Sequence, residues 1–530
     1  MIRPDNNAGR FLKNRDVPRQ LDSPETYSVA RQRLEECFRH EGCPRPERGV
    51  LPNRVIDCTD PARPRLFTNE GTEKELYVAL SYVWGEDQPH KTTSHNFEAY
   101  SKSLTLSSIP RTIQDAIAAT HNLGIRFLWV DAYCIIQDSK EDKAREIAKM
   151  RTIFMNAYFT IVASSAWRVS DGFLYPRDSP SLATLPFLCP DRTYGTMTLS
   201  LPQLDLLNAP AAPDTRAWCL EERLLSQRLL LYAPHTLEYE CQTSHTNVDG
   251  SRRYLSNPAI GRLPDRVFTT LKQVQSHDAT AARNNDRLRT QYSVWRGILE
   301  EYTARSLTKP RDRLIALAGV AEHFDWQGSR YLAGLWSIEL PWGLLWKVVT
   351  KRQERPRKYR APSWSWAAVD GKIEGYNPLA YERLIDLASS DVLGSPPICE
   401  IETYDVTPAD PSHPFGAVID GYLELKTVIV HVIYSGGSDL LTRQGDSLAQ
   451  VFGTVCFDAV EDYLTEIVVA VVCKHKRGYL AGIALLPTTA DDTACHNNTQ
   501  IRYRRVGFCK LNRDVYEAVG PHDTVIITVV

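Results

Sequence analysis

Three short apolar runs, at residues 76–82, 125–130 and 158–163, constrain this chain more than any other feature. Each is strand-sized, almost free of charged side chains and rich in β-branched or aromatic residues. Between the first two, Pro110 stands at the first position of a helix that carries Ile113, Ala116, Ile117 and Leu123 at helical spacing, until Gly124 stops it. Between the second and third, residues 140–157 place Ile147, Met150 and Phe154 on one helical face. Apolar strands alternating with helices predict a parallel sheet covered on both faces, with right-handed crossovers. Ligands of such sheets bind beyond the carboxyl ends of the strands. Three loops should therefore converge on one rim: residues 81–85, 131–137 and 164–167.

At 530 residues the chain is too long for a single hydrophobic core, which stops growing near ~250–300 residues. The texture suggests an N-terminal extension (1–50), an α/β domain (51–250), a helical connecting region (251–375) and a β-rich C-terminal unit (376–530). The extension carries one helical pattern, at residues 24–40. A helix at 214–225, capped by Asp214 or Thr215, precedes strand patterns at 228–232 and 237–241. Residues 255–350 read as mostly helical. Strand patterns then dominate at 422–434, 464–474, 479–486, 500–509 and 524–530.

Several function classes are disfavoured at this level. Lys plus Arg is 62 against 64 Asp plus Glu, so no strong field draws the chain to nucleic acid or to an anionic membrane. The N-terminus has no apolar secretory core, and no stretch reaches the ~20 apolar residues a spanning helix needs. A cytoplasmic protein with reduced thiols is expected. The twelve cysteines form no C-x-x-C and no close Cys/His cluster of zinc spacing, so no metal centre is expected. Cys134, Cys219, Cys456 and Cys473 lie in apolar segments and read as small core residues. No P-loop and no Gly-x-Gly-x-x-Gly occurs, and Ser363 lacks a nucleophile elbow. No resident cofactor is expected.

Four blocks carry a resemblance. They are Tyr77-Val-Ala-Leu-Ser-Tyr-Val-Trp-Gly85, then Leu123-Gly-Ile-Arg-Phe-Leu-Trp-Val-Asp-Ala-Tyr-Cys-Ile-Ile-Gln137, then Arg216-Ala-Trp-Cys-Leu-Glu-Glu-Arg-Leu-Leu-Ser-Gln-Arg228, and finally Tyr359-Arg-Ala-Pro-Ser-Trp-Ser-Trp-Ala367. The first three resemble, in order, the motif blocks of fungal heterokaryon-incompatibility (HET) domain proteins. The fourth is similar to a segment that follows that domain in long members, and residues 302–350 to their connecting region. The resemblance implies a remote likeness to TIR domains: a flavodoxin/TIR-like α/β fold with a parallel sheet, some of whose members hydrolyse NAD with one glutamate. That glutamate follows a tryptophan by four residues in a Trp-Cys-Leu-x-Glu pattern, which Trp218 to Glu222 matches. Two positions depart from the family: Ile136 where an acid is usual, and Glu221 where Gln is usual. Adjacent Glu221 and Glu222 also offer like-charge repulsion that raises one carboxyl pKa.

Glu222 is thus the catalytic candidate, a carboxylate that stabilises an oxocarbenium-like ribosyl centre or steers water. The alternative is a helix carboxylate paired with Arg223 or Arg228. Asp131 ends an apolar strand at the rim, where it binds a ribose or caps the next turn. Trp84, beside Gly85, is the stacking candidate, whereas Trp129 reads as core. Ser81 and Gln137 complete the binding set. Ser81 either donates to a phosphate or serves the strand. Cys134, without a nearby His, reads as a core thiol, and His121 as a helix-end imidazole.

Three functions follow as expectations. The first is a HET-type effector that binds NAD as a small-molecule substrate and hydrolyses it, with cell death or growth arrest as output. The second is a signalling module acting by self-association. The third is an enzyme of secondary metabolism reusing the scaffold.

Overall fold

The computed structural model describes residues 6–11, 19–177, 181–201, 211–248, 281–324, 329–375, 397–434, 440–443, 451–460, 466–475, 478–488, 501–512 and 524–530. The chain forms two compact units, Met1–Thr270 and Leu271–Val530.

The first unit is built on one eight-stranded sheet. In chain order its strands are β1 (Arg54–Asp57), β2 (Arg65–Thr68), β3 (Tyr77–Ser81), β4 (Phe127–Trp129), β5 (Phe159–Val162), β6 (Arg228–Tyr232), β7 (Leu237–Cys241) and β8 (His245–Asn247). Across the sheet they lie in the order β8-β7-β6-β5-β3-β4-β1-β2. β3 runs parallel to both β4 and β5, and β5 parallel to β6. Every residue of these four strands is buried, as continuous apolar runs require in a sheet covered on both faces. The chain moves from β3 to β4 on one side, then returns to β5 on the other. The strand order therefore reverses between β3 and β5, the position where open α/β sheets bind ligands.

The sheet is mixed rather than wholly parallel. β1, β2, β7 and β8 are antiparallel to their neighbours and flank the parallel centre on both sides. Short connections explain the antiparallel pairs β1–β2, β6–β7 and β7–β8, since a tight turn can join only antiparallel strands. Between β6 and β7, Ala233 N–H closes the turn on Thr236 O at 2.9 Å.

The first unit's helices are α1 (Pro24–Glu36), α2 (Arg111–Asn122), α3 (Lys140–Asn156) and α4 (Ala217–Leu225). Pro110 takes the N-cap of α2 and Arg111 the first helical position, a shift of one residue. Gly124, at φ +83°, ends that helix where a side chain would be strained. α3 buries Asp142, Glu146, Ile153 and Phe154; of the expected face only Phe154 is fully buried, while Ile147 and Met150 are half-buried. Two carboxylates are tolerated there because Arg54 on β1 reaches Asp142 at 2.5 Å and Asn53 donates to Glu146 at 2.6 Å. α4 starts after Arg216, with neither Asp214 nor Thr215 as cap, because residues Ala212–Thr215 are taken up by a 3₁₀ turn.

The second unit contains α5 (Ala281–Thr303) and α6 (Ile315–His323), followed by short strands and 3₁₀ turns over 331–348 where helix was expected. Gly334, at φ +102°, turns the chain against Trp366, whose indole Nε1 donates to Gly334 O at 2.9 Å. A Cβ at Gly334 would lie 2.5 Å from that ring. Trp346, Trp364 and Trp366 are all buried, so the fourth sequence block is an aromatic core of this unit.

The C-terminal part is β-rich as expected, with strands β9 (Glu400–Pro408), β10 (Val418–Tyr434), β11 (Leu440–Arg443), β12 (Val451–Phe457), β13 (Glu466–Lys474), β14 (Leu480–Pro487), β15 (Arg502–Leu511) and β16 (Thr524–Val529). The long β10 pairs with β11 through Val432–Tyr434 and with β13 through Ile429–Ile433. Pairings of β11 with β12, β12 with β15, β15 with β14 and β14 with β13 complete a closed ring of six antiparallel strands. Closure removes the exposed edges an open sheet would present. Val432, Val455, Ile467, Val469, Leu480 and Val506 belong to its core. Beside it, wholly buried Arg505 is paired with wholly buried Asp458 at 2.9 Å. Its guanidinium also donates to Leu344 O and Trp346 O and lies over the Trp346 ring.

Candidate functional site

The carboxyl end of β3 builds most of the rim. Ser81 closes the strand and is buried; Tyr82 follows, also buried, and Trp84 is half-buried. Gly85 adopts φ +66°, and a Cβ there would stand 2.4 Å from Trp167 O, so only glycine fits without displacing the next loop. That loop is tied back by Val169 N–H donating to Trp84 O at 3.0 Å, while Ala163 N–H donates to Ser81 O at 3.0 Å. The segment after β4 joins them. Asp131 opens a one-turn helix, Asp131–Cys134, and Gln137 Nε2 donates to Asp131 O at 3.0 Å.

Asp131 is held by three donors. Tyr82 Oη donates to Oδ1 and Trp84 Nε1 to Oδ2, both at 2.9 Å, and Ala132 N–H reaches Oδ1 at 2.7 Å. Burial raises its pKa, and Arg216 with these donors opposes the rise. Trp84 is thereby fixed by its indole N–H and cannot swing freely. The turn that Asp131 opens is capped by Val130 rather than by the Asp131 side chain.

Glu222 reaches the same place from α4. Its pKa is raised from 4.5 to about 7, first by burial, with the Asp131 charge adding to it. Arg216, Ser81 and Cys219 stand beside it and favour the charged form. Its Oε2 is buried with no hydrogen-bond partner among the described residues. The like charge facing Glu222 is therefore Asp131, not the adjacent Glu221, which is buried on another side of the helix. Neither suggested arginine pairs with it. Arg223 reaches Glu240 on β7 at 3.0 Å and Asp214 at 3.4 Å, and Arg228 is buried elsewhere.

Arg216 and Tyr82 are the members that sequence reasoning missed. The Arg216 guanidinium donates to Tyr82 O at 3.1 Å and is held charged by Cys219, Glu222 and Asp131 despite burial. Its place at the N-cap of α4, just before Trp218-Cys219, was the available signal. Trp84 bonds the Asp131 carboxylate and Gln137 its backbone carbonyl, while Ser81 and Arg216 stand beside Glu222, which feels the Asp131 charge. Gly85 shapes the loop. Trp129 is core, packed edge-on against Phe154. Cys134 is buried and its thiol pushed up to about 12, which suits no nucleophile. His121 Nδ1 meets Cys58 O at 3.0 Å, and the Ser363 hydroxyl is spent on Val530 O.

One expectation fails outright. A Cys/His cluster of metal-ligand geometry does exist in this unit, away from the rim: Cys37, His40, Cys43 and Cys241. Three members follow a C-x-x-H-x-x-C spacing that a search for C-x-x-C passes over, and the fourth comes from a distant strand.

The rim coincides with a recognised domain. Residues 77–222 match the family model for heterokaryon incompatibility protein (HET), a span that opens on the first residue of β3 and closes on Glu222. Over that span the chain is similar to heterokaryon-incompatibility domains. It is similar to heterokaryon incompatibility protein 6, OR allele, of Neurospora crassa, with 26% identity over 104 residues. That alignment covers 18% of this chain and 15% of the Neurospora protein, so the two are comparable over a small part of either. No solved structure matches the chain. Among the described residues, no helix is long and apolar enough to cross a membrane.

Proposed function

We propose that the HET domain binds a nicotinamide dinucleotide at this rim and hydrolyses its nicotinamide–ribose bond, with Glu222 as the catalytic carboxylate. The observation that carries the reading is the Glu222 carboxyl itself. It ionises at about 7 and keeps one buried oxygen without a hydrogen-bond partner, beside a fixed arginine, where the sheet order reverses. A buried, unspent and strongly shifted carboxyl is costly to maintain and marks a functional site.

The chemistry needs little more. As the N-glycosidic bond breaks, its electron pair leaves with the nicotinamide nitrogen, which becomes neutral. Positive charge develops on the ribose, and a carboxylate facing it in a water-poor site stabilises that charge. Water then adds to the ribosyl carbon and gives up its proton to the carboxylate or to solvent. The substrate's own cationic ring favours the ionised form of Glu222 and lowers its pKa on binding. Arg216 supplies a positive charge suited to a pyrophosphate, and Asp131 holds Tyr82 and Trp84 in place. Depletion of NAD would provide a cell-death or growth-arrest output.

The test is direct. Purified protein incubated with NAD should release nicotinamide and ADP-ribose, and Glu222→Gln should abolish most of that release. Absence of both nicotinamide release and NAD binding by the parent protein overturns the reading and leaves the scaffold free for other small-molecule chemistry.

A further inference from the structure

The cluster of Cys37, His40, Cys43 and Cys241 lies outside the rim and takes no part in the chemistry proposed there. All three cysteines are buried, and the four candidate ligand atoms lie within 4.8 Å of one another. They arise from two places. Cys37 ends α1 and begins a 3₁₀ turn, His40 caps that turn, and Cys43 follows it, while Cys241 is the last residue of β7.

We propose that these four side chains bind one zinc ion, in a closed tetrahedral Cys₃His site. The distances argue for it. Zn–S bonds of about 2.3 Å and Zn–N bonds of about 2.0–2.1 Å at tetrahedral angles place sulfur and nitrogen ligands about 3.5–3.6 Å apart. His40 Nδ1 is 3.6 Å from Cys43 Sγ and 3.4 Å from Cys241 Sγ. All three cysteines are free thiols, so no disulfide accounts for their approach.

The surroundings provide for thiolates. Each sulfur has its own polar neighbour: Arg228 Nε donates to Cys37 Sγ at 3.3 Å, Thr243 Oγ1 lies 3.2 Å from Cys43 Sγ, and Ser244 Oγ lies 3.3 Å from Cys241 Sγ. Outer partners of this kind fix ligands and favour the charged form. Arg228 adds the electrostatic argument. Its side chain is wholly buried, and among the described residues its hydrogen bonds go to Cys37 Sγ, Tyr158 O, Gln227 Oε1 and Pro44 O, none of them a carboxylate. A buried cation needs a compensating anion. Zinc with three thiolates and a neutral imidazole carries a net charge of −1, which balances one guanidinium. The same arginine fixes Pro44, the residue after Cys43, so the ligand loop is positioned before metal arrives. With four protein ligands and no open position, the ion is structural. It fastens the segment after α1 to the β6–β7 hairpin.

Metal analysis of the full chain, purified without chelator, tests this. About one zinc per chain is expected, and cobalt substitution should give the intense visible bands of a tetrahedral, thiolate-ligated ion. Cys43→Ser and Cys241→Ser should each lower zinc content at least tenfold. Should either variant fail to fold, His40→Cys decides, since it keeps four ligands and should retain the metal, while His40→Ala should lose it. Parent protein without zinc overturns the proposal. So does zinc that survives both serine substitutions, or a disulfide between any two of the three cysteines.

Discussion

Replacing Glu222 by Gln should make this protein more stable at alkaline pH while removing its proposed activity. The folded carboxyl ionises at about 7 against 4.5 for an unperturbed one. Because burial favours its neutral form, the folded state holds a proton that the unfolded chain has already released between those values. Stability contributed by this group is therefore highest below pH 4.5, falls as pH rises toward 7, and reaches its full penalty above that. At 1.36 kcal/mol per pKa unit the penalty is about 3 kcal/mol, or roughly 2–3 after allowing for the part of the side chain that solvent reaches. Gln keeps the shape and an acceptor for Ser81 and Cys219 but carries no charge. Near pH 8 it should raise the melting temperature of the HET-domain unit by roughly 4–12 °C, and near pH 4 it should change little. Thermal unfolding of parent and variant at both pH values measures this. Turnover of NAD by the same variant should fall by ~10²–10³. A variant equally or less stable than the parent at pH 8 would refute the burial argument, whatever happens to activity.

Activity of the parent should rise with pH through about 7 in kcat/KM, because the ionised carboxylate does the work, and kcat should level off at lower pH than kcat/KM because the cationic substrate favours ionisation. A flat profile from pH 5.5 to 8.5 argues against Glu222. Gly85→Ala should destabilise the rim by about 1–3 kcal/mol, since φ +66° is strained for alanine and its Cβ meets Trp167 O; chemical denaturation reads it directly. In the second unit, Asp458→Ala should cost about 3–5 kcal/mol by leaving Arg505 buried without its counterion, measured by urea unfolding.

The parallel centre was legible because full burial leaves an unbroken apolar signature at residues 77–81, 127–129 and 159–162. The strand at Leu237–Cys241 was legible too, but its antiparallel pairing with β6 was not, nor the burial of its two glutamates, which only its partners make tolerable. Glu238 Oε2 lies 3.2 Å from His245 Nε2, and Glu240 is paired with Arg223 at 3.0 Å. The carboxyl candidates of the rim stood at strand and helix ends, where topology alone brings them together. Arg216 was marked only by its place before the Trp218 block, because its burial and its reach to Tyr82 O depend on contacts 134 residues away. The zinc-type cluster escaped because the signal is split, three residues in one turn and the fourth on a strand that pairs 200 residues later. Helix was wrongly expected over 331–348 because aromatic and apolar residues there follow no strict period, and Trp366 fixes an irregular path instead.

The Arg216 hydrogen bond to Tyr82 spans 134 positions of chain, and it has a consequence in time as well as in space. During synthesis the ribosome releases Tyr82 and Asp131 long before α4 emerges, so the rim exists only as half a cleft until Glu222 and Arg216 dock against it. A chain cut between residues 131 and 222 carries Asp131 with Tyr82 and Trp84 around it but lacks Glu222. If Glu222 carries the proposed hydrolysis, a nascent chain stays inactive until the last residue of the matched span has emerged and docked.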